Sequence, residues 1–185
     1  MKRIASILML MVILTGCGVN NAELDRVMAL RAKLLGASGC SFEAVVTADY
    51  GKTEYTCRIG CVSDGQGGVT FTVLEPESIE GITGSVSAEG GKLSYDGLAL
   101  SFPLMADGQV TPVSAPWLLV RTLRGGYVKS CGMDGVRVRV AIDDSYESDA
   151  LHLDIWLEDD RPVYAEILYG DRRILSMEVQ NFQFL

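Results

Sequence analysis

The 185-residue chain is poor in basic residues, holding 16 Lys and Arg against 24 Asp and Glu, and has a single histidine, His152. Each shortage removes a class of function. A net charge of −8 argues against nucleic-acid binding, which needs a basic stripe to displace the counterions of phosphate. Any Ser-His-Asp or Cys-His arrangement would have to use His152, yet that residue falls on the polar side of a predicted strand and no G-x-S-x-G elbow is present. It reads as an exposed strand residue. The acidic run Asp143, Asp144, Glu147 and Asp149 lacks the glycine of a calcium loop, so it reads as a solvated hairpin turn. Cys57 and Cys61 are spaced C-x3-C on a strand, which excludes a thioredoxin-like C-x-x-C at a helix start. No cofactor motif or metal spacing stands out, and the expectation is a binding protein rather than an enzyme. The 48% hydrophobic and 22% charged composition fits one globular domain.

Long apolar runs are also lacking, with one concentrated exception at the start. Lys2 and Arg3 precede an apolar stretch from Ile4 to Leu14, followed by Leu14-Thr15-Gly16-Cys17. The stretch falls short of the ~20 residues of a membrane-spanning helix and has the order of a secretory signal. Its end resembles the bacterial lipobox, which implies cleavage after Gly16 and acylation of Cys17. On that reading residues 1–16 are a signal peptide, 17–20 a lipidated tether and 21–185 the folded domain. Cleavage removes two basic residues and no acids, taking −8 to −10. Two or three acyl chains on Cys17 give firm anchoring where one would be marginal. Gly18 to Asn20 span only about 10 Å, holding an extracytoplasmic domain close to the membrane.

Beyond the tether, an Asn cap, early acids and apolar residues at Leu24, Val27, Met28, Leu30 and Leu34 predict a helix over 22–35 ended by Gly36. The period then becomes two. Phe42, Ala44, Val46 and Ala48 share a face, as do Tyr55, Cys57, Ile59 and Cys61, then Val69, Phe71 and Val73. Asp64 to Gly68 joins two strands with no helix following, so it is a turn and not a phosphate cradle. Short strands fit Ile82–Ser87, Lys92–Tyr95 and Leu98–Phe102, punctuated by Glu89-Gly90-Gly91 and Asp96-Gly97. A second helix follows Ser114, with Pro116 in its first turn. Strands resume at Val136–Ile142, Leu151–Leu157, Val163–Ile167 and Arg173–Phe184.

The expected fold class is mainly β with two helices: a curved antiparallel sheet of about ten strands forming an unclosed half-barrel covered by helices. In order of elements the chain resembles the outer-membrane lipoprotein carrier superfamily, the LolA/LolB-like fold. The resemblance is carried by the first helix running into Phe42-Glu43-Ala44-Val45-Val46, by Glu75-Pro76-Glu77-Ser78-Ile79, by Pro116-Trp117-Leu118-Leu119, and by the ending Leu157 to Val163 and Ser176 to Phe182. It implies an apolar concavity for an acyl chain or a lipoprotein cargo. The carriers that pass cargo onward have a basic residue before a proline late in the second strand, where it ties the lid shut. Cys61-Val62-Ser63-Asp64 has neither, so a stationary acceptor, chaperone or sensor fits better than a shuttle.

The residues expected to wall such a concavity are Phe42, Val46, Tyr55, Ile59, Phe71 and Val73. The alternative is a structural or regulatory surface lipoprotein with a filled core and no ligand, acting through an unidentified protein partner. Setting Cys17 aside leaves Cys40, Cys57, Cys61 and Cys131, disulfide candidates outside the cytoplasm. A hairpin turning at Tyr50-Gly51 sets Cys40 opposite Cys61, whereas a turn one residue later makes them diagonal neighbours. Cys40–Cys61 is the expected pair, with Cys57–Cys131 next and four buried thiols as the alternative.

Overall fold

A computed structural model describes residues 22–106, 109–147 and 150–185; the signal, the lipobox and Cys17 lie outside the described residues. Helix α1 spans Ala22–Gly36. Strands β1 (Gly39–Asp49), β2 (Glu54–Asp64), β3 (Val69–Glu75), β4 (Thr83–Ser87), β5 (Gly90–Tyr95) and β6 (Leu98–Phe102) follow. A small hairpin, β7 (Met105–Ala106) and β8 (Gln109–Val110), leads to helix α2 (Ala115–Gly125). Strands β9 (Tyr127–Asp134), β10 (Arg137–Asp143), β11 (Leu151–Glu158), β12 (Arg161–Tyr169) and β13 (Arg172–Phe184) complete the chain.

Eleven of these strands form one antiparallel sheet in the order β6-β5-β4-β3-β2-β1-β13-β12-β11-β10-β9. The order has a simple cause. Most turns are tight, such as Asp96-Gly97 and Asp159-Asp160, whose positive φ angles match the primed turns that follow strand twist. Tight turns force each strand beside its predecessor, so β1 to β6 meander outward to one edge. The second meander, β9 to β13, begins at the opposite edge and returns to pair with β1 at the centre. The chain must therefore cross the sheet once, between β6 and β9, and α2 is that crossing.

A helix laid across an apolar concavity is buried all round, and the sequence of α2 suits it. Ala115, Pro116, Trp117, Leu118, Leu119, Val120, Thr122 and Leu123 are all buried. They join Val46, Ile59, Val140, Ile155, Ile167, Leu175 and Met177 of the strands in one continuous core. Each fully buried aliphatic side chain contributes roughly 1.5–3 kcal/mol relative to exposure. Helix α1 packs on α2 and on the edge strand β9, burying Val27, Leu30 and Leu34.

The expected fold class is what the structure has, with eleven strands in the sheet. Register differs at the first hairpin. Asp49 pairs with Glu54 and Cys40 with Ser63, while Cys61 faces Phe42. The turn falls one residue later because the Asp49 carboxylate accepts the Gly51 N–H at 2.6 Å and Gly51 takes φ +86°, a conformation open to glycine. Cys40 and Cys61 are thus diagonal, and diagonal side chains sit ~7–8 Å apart, beyond disulfide reach. All four cysteines are free thiols in the structure, a correction to both expected bonds. Cys57 and Cys131 lie on β2 and β9, with five strands between them.

Candidate functional site

Across the sheet, directly paired residues share a face, so the register defines rows. One inner row runs Phe42, Cys61, Phe71, Gly84, Leu93, Leu100, and its neighbour carries Ala44, Ile59 and Val73 toward Tyr95 and Leu98. At the centre these residues lie under the helices: Phe42, Val46, Ile59, Phe71 and Val73 are all at most 3% exposed. Toward β6 the same face emerges from cover, with Tyr95 56%, Leu100 65% and Leu98 78% exposed. Two glycines smooth this floor: a Cβ on Gly84 would strike the Phe71 ring and one on Gly91 the Phe102 ring, so both rings lie over bare backbone.

Five of the six expected wall residues therefore sit in packed core. The sixth, Tyr55, has the right parity but lies at the sheet's end, 59% exposed, its ring 5.8 Å from that of Tyr50. The uncovered apolar surface lies on β5 and β6 instead. Alternation identifies that face in the sequence, but nothing local says where the helical cover stops.

Two clefts flank α2. One, about 580 Å³, is bounded by the β2–β3 turn, by Ser87 to Glu89 and by Trp117, Arg121 and Arg124. The other, about 360 Å³, is bounded by Leu104, Met105 and Val110, by Asp144, Glu147 and Leu151 and again by Trp117 and Arg121. The Arg121 guanidinium lies 5.0 Å from the centroid of the Trp117 ring, so this stacked pair stands between the clefts.

Two other arginines fix the helices. Arg31 of α1 donates from Nε to the Leu123 carbonyl at 2.7 Å and from Nη2 to that of Gly126 at 2.9 Å. Arg124 of α2 donates to the Leu34 carbonyl at 2.7 Å and to that of Gly65 at 2.8 Å. Each helix thus places a cation on the other's C-terminal carbonyls, the end that favours positive charge. The Gly65 bond ties α2 to the turn after β2. This helix-to-turn tie was missed in the sequence. An arginine in the last turn of a predicted helix was the available signal.

On the outer face of the second meander lies a charge network. Asp143 meets His152 Nδ1 at 2.7 Å and Lys129 at 2.9 Å, and Asp154 meets Arg139 at 2.6 and 3.2 Å. Burial pushes the Asp143 carboxyl upward, but the bonds from His152 and Lys129 outweigh it and hold the group below its ordinary value. His152 is half-buried and engaged rather than simply exposed. The Asp144 carboxylate accepts the Leu151 N–H at 2.8 Å. With Asp143 also occupied, this corner is a set of partnered carboxylates. No metal-binding group of three such side chains occurs among the described residues. Burial raises the Cys40 and Cys57 thiols to about 11 and pushes Cys61 up further.

Neither family models nor curated proteins match the chain. Solved structures similar to it include a LolA superfamily protein from Nitrosomonas europaea, at 8% identity over 86% of this chain and 93% of that one, TM-score 0.46. A putative outer membrane lipoprotein-sorting protein domain from Vibrio parahaemolyticus gives 10% identity over 88% and 92%, TM-score 0.48. The Mycobacterium tuberculosis lipoprotein LppX gives 11% over 87% and 93%, TM-score 0.40.

Proposed function

We propose that the protein is a lipid-anchored extracytoplasmic binding protein that receives an acyl chain, free or on a lipoprotein, on the inner face of β4 to β6. One observation carries the reading: Tyr95, Leu98 and Leu100 face the concave side yet stand in solvent, an exposed apolar patch on the face that elsewhere forms the core. An apolar surface left open by the same alternation that builds the core gains free energy from a ligand that covers it. The anchor is Cys17.

Residues 20–185 carry every member of the core cluster and form the sample for native mass spectrometry. Co-purifying lipid that disappears in Leu98→Arg or Leu100→Arg, with folding intact, supports the reading. A ligand-free mass after incubation of that sample with a lipid extract overturns it. Replacing Cys17 by Ser is expected to release the protein from membranes; retention would refute the anchor.

A second reading rests on the edge of β6. Leu98-Ala99-Leu100-Ser101-Phe102 carries no charge and, among the described residues, has no strand beyond it, a template for an added strand from a protein partner. Binding that survives Leu100→Arg but not proline at Ala99 would favour it.

A further inference from the structure

Helix α2 presents one side chain to solvent along its length from Ala115 to Leu123, and it is Arg121. Every other residue of that stretch is buried. The guanidinium rests on the face of Trp117, which is itself buried, and both residues line both clefts. A lone cation in an otherwise apolar helix surface, stacked on a tryptophan, is held in place for a partner.

The surroundings indicate the charge of that partner. From Val69 to Val110 the described chain holds Glu75, Glu77, Glu80, Glu89 and Asp96 but a single basic residue, Lys92. Lys92 pairs with Ser85 and Ser101 in an outer row, facing away from the concavity. Arg124 is committed to the carbonyls of Leu34 and Gly65. Of the carboxylates lining the clefts, Asp64 is held by the N–H groups of Gln66 and Gly68 and Asp144 by that of Leu151; Glu89 and Glu147 are exposed. Arg121 is thus the cation that a ligand on the apolar face can reach. The chain itself leads toward it: the inner residues of β6 run from Leu98 to Phe102, about 14 Å at ~3.4 Å per residue, and Leu104 and Met105, which follow, line the second cleft beside Arg121.

We infer that Arg121 is the headgroup contact of the acyl-binding face, and that the ligand class is a single-chain or lipid amphiphile with an anionic head, carboxylate or phosphate. This rests on the proposed function, and the test separates the two. Binding of dodecanoate, dodecyl phosphate, dodecanol and dodecylamine to residues 20–185 is measured by calorimetry below their micellar concentrations. The anionic amphiphiles are expected to bind at least ~10-fold more tightly than dodecanol, the scale of one charge-assisted contact. Arg121→Gln removes that preference and leaves dodecanol affinity unchanged, while Arg121→Lys keeps part of it. Circular dichroism establishes that both variants fold, and a misfolded Gln variant leaves the wild-type preference and the Lys variant to decide.

Equal binding of dodecanoate and dodecanol, tighter binding of dodecylamine, or a preference that survives Arg121→Gln overturns the headgroup assignment while leaving the apolar site standing. Failure of all four to bind overturns both. Tighter binding of dodecyl phosphate than of dodecanoate points to a phospholipid source, and the reverse to a free fatty acid.

Discussion

The two meanders of the sheet are built alike and finished differently. In β10 to β13 the inner residues Val140, Ile142, Leu153, Ile155, Ile167 and Met177 are closed over completely. In β5 and β6, Leu93, Tyr95, Leu98 and Leu100 occupy equivalent positions and are partly or largely bare. Alternation writes the same apolar face into both, and the difference arises from where α2 and α1 lie. The lesson is that strand patterning specifies a face, while cover depends on the path of the crossing segment. Most of the sheet is structural interior, and its β5–β6 edge is available surface.

Four measurements test that contrast. The largest effect is expected in the covered half, where Leu119→Ala should cost about 2–5 kcal/mol in chemical denaturation, against about 0.5 kcal/mol or less for Leu100→Ala. Comparable losses would mean that the open face is not open. Next, Arg124→Ala leaves the Leu34 and Gly65 carbonyls without their donors and should cost ~1–3 kcal/mol, with faster amide exchange in α1 and at the β2–β3 turn. Unchanged exchange there would remove the clamp from the account.

Smaller still is the outer network. Because the Asp143 pKa is lowered in the fold, its contribution is complete above the ordinary aspartate range and is lost as pH falls through the folded value. Stability of wild type should decline in that acid window more steeply than that of Asp143→Asn, by roughly 1 kcal/mol or less at this partly exposed site. Parallel pH profiles would discount the network. The smallest effect is kinetic: iodoacetamide at pH 8 should label half-buried Cys131 before Cys40, Cys57 and Cys61, whose thiols are buried and, for Cys40 and Cys57, raised to about 11. Early labelling of Cys61 would place the β1–β2 centre nearer solvent than the fold allows.

Much of this fold was legible in the residues. The period of two marked the strands because each has one buried face, and the break between Lys92–Tyr95 and Leu98–Phe102 came directly from Asp96-Gly97. Helix α1 was set by its apolar spacing and by Gly36. The cysteine pairing was not legible, since register turned on one side-chain bond from Asp49 to Gly51. Nor was the site. Phe42 and Leu100 have the same pattern around them, and only the fold buries the first and leaves the second in solvent. Tyr55 shows the same limit at a strand's end: parity chose its face, but the core stops short of it and leaves it 59% exposed.

The crossed arginines have a mechanical consequence. The chain enters the domain through α1, so any pull from the N-terminal side loads that helix before it loads the sheet. Arg31 and Arg124 reach in opposite senses between the helices, and neither helix can slide without straining both. Force is shared with α2, which spans the concavity beside the clefts. A pull from that side would thus be felt at the elements that flank the clefts before it reaches the hydrogen-bonded strands behind them.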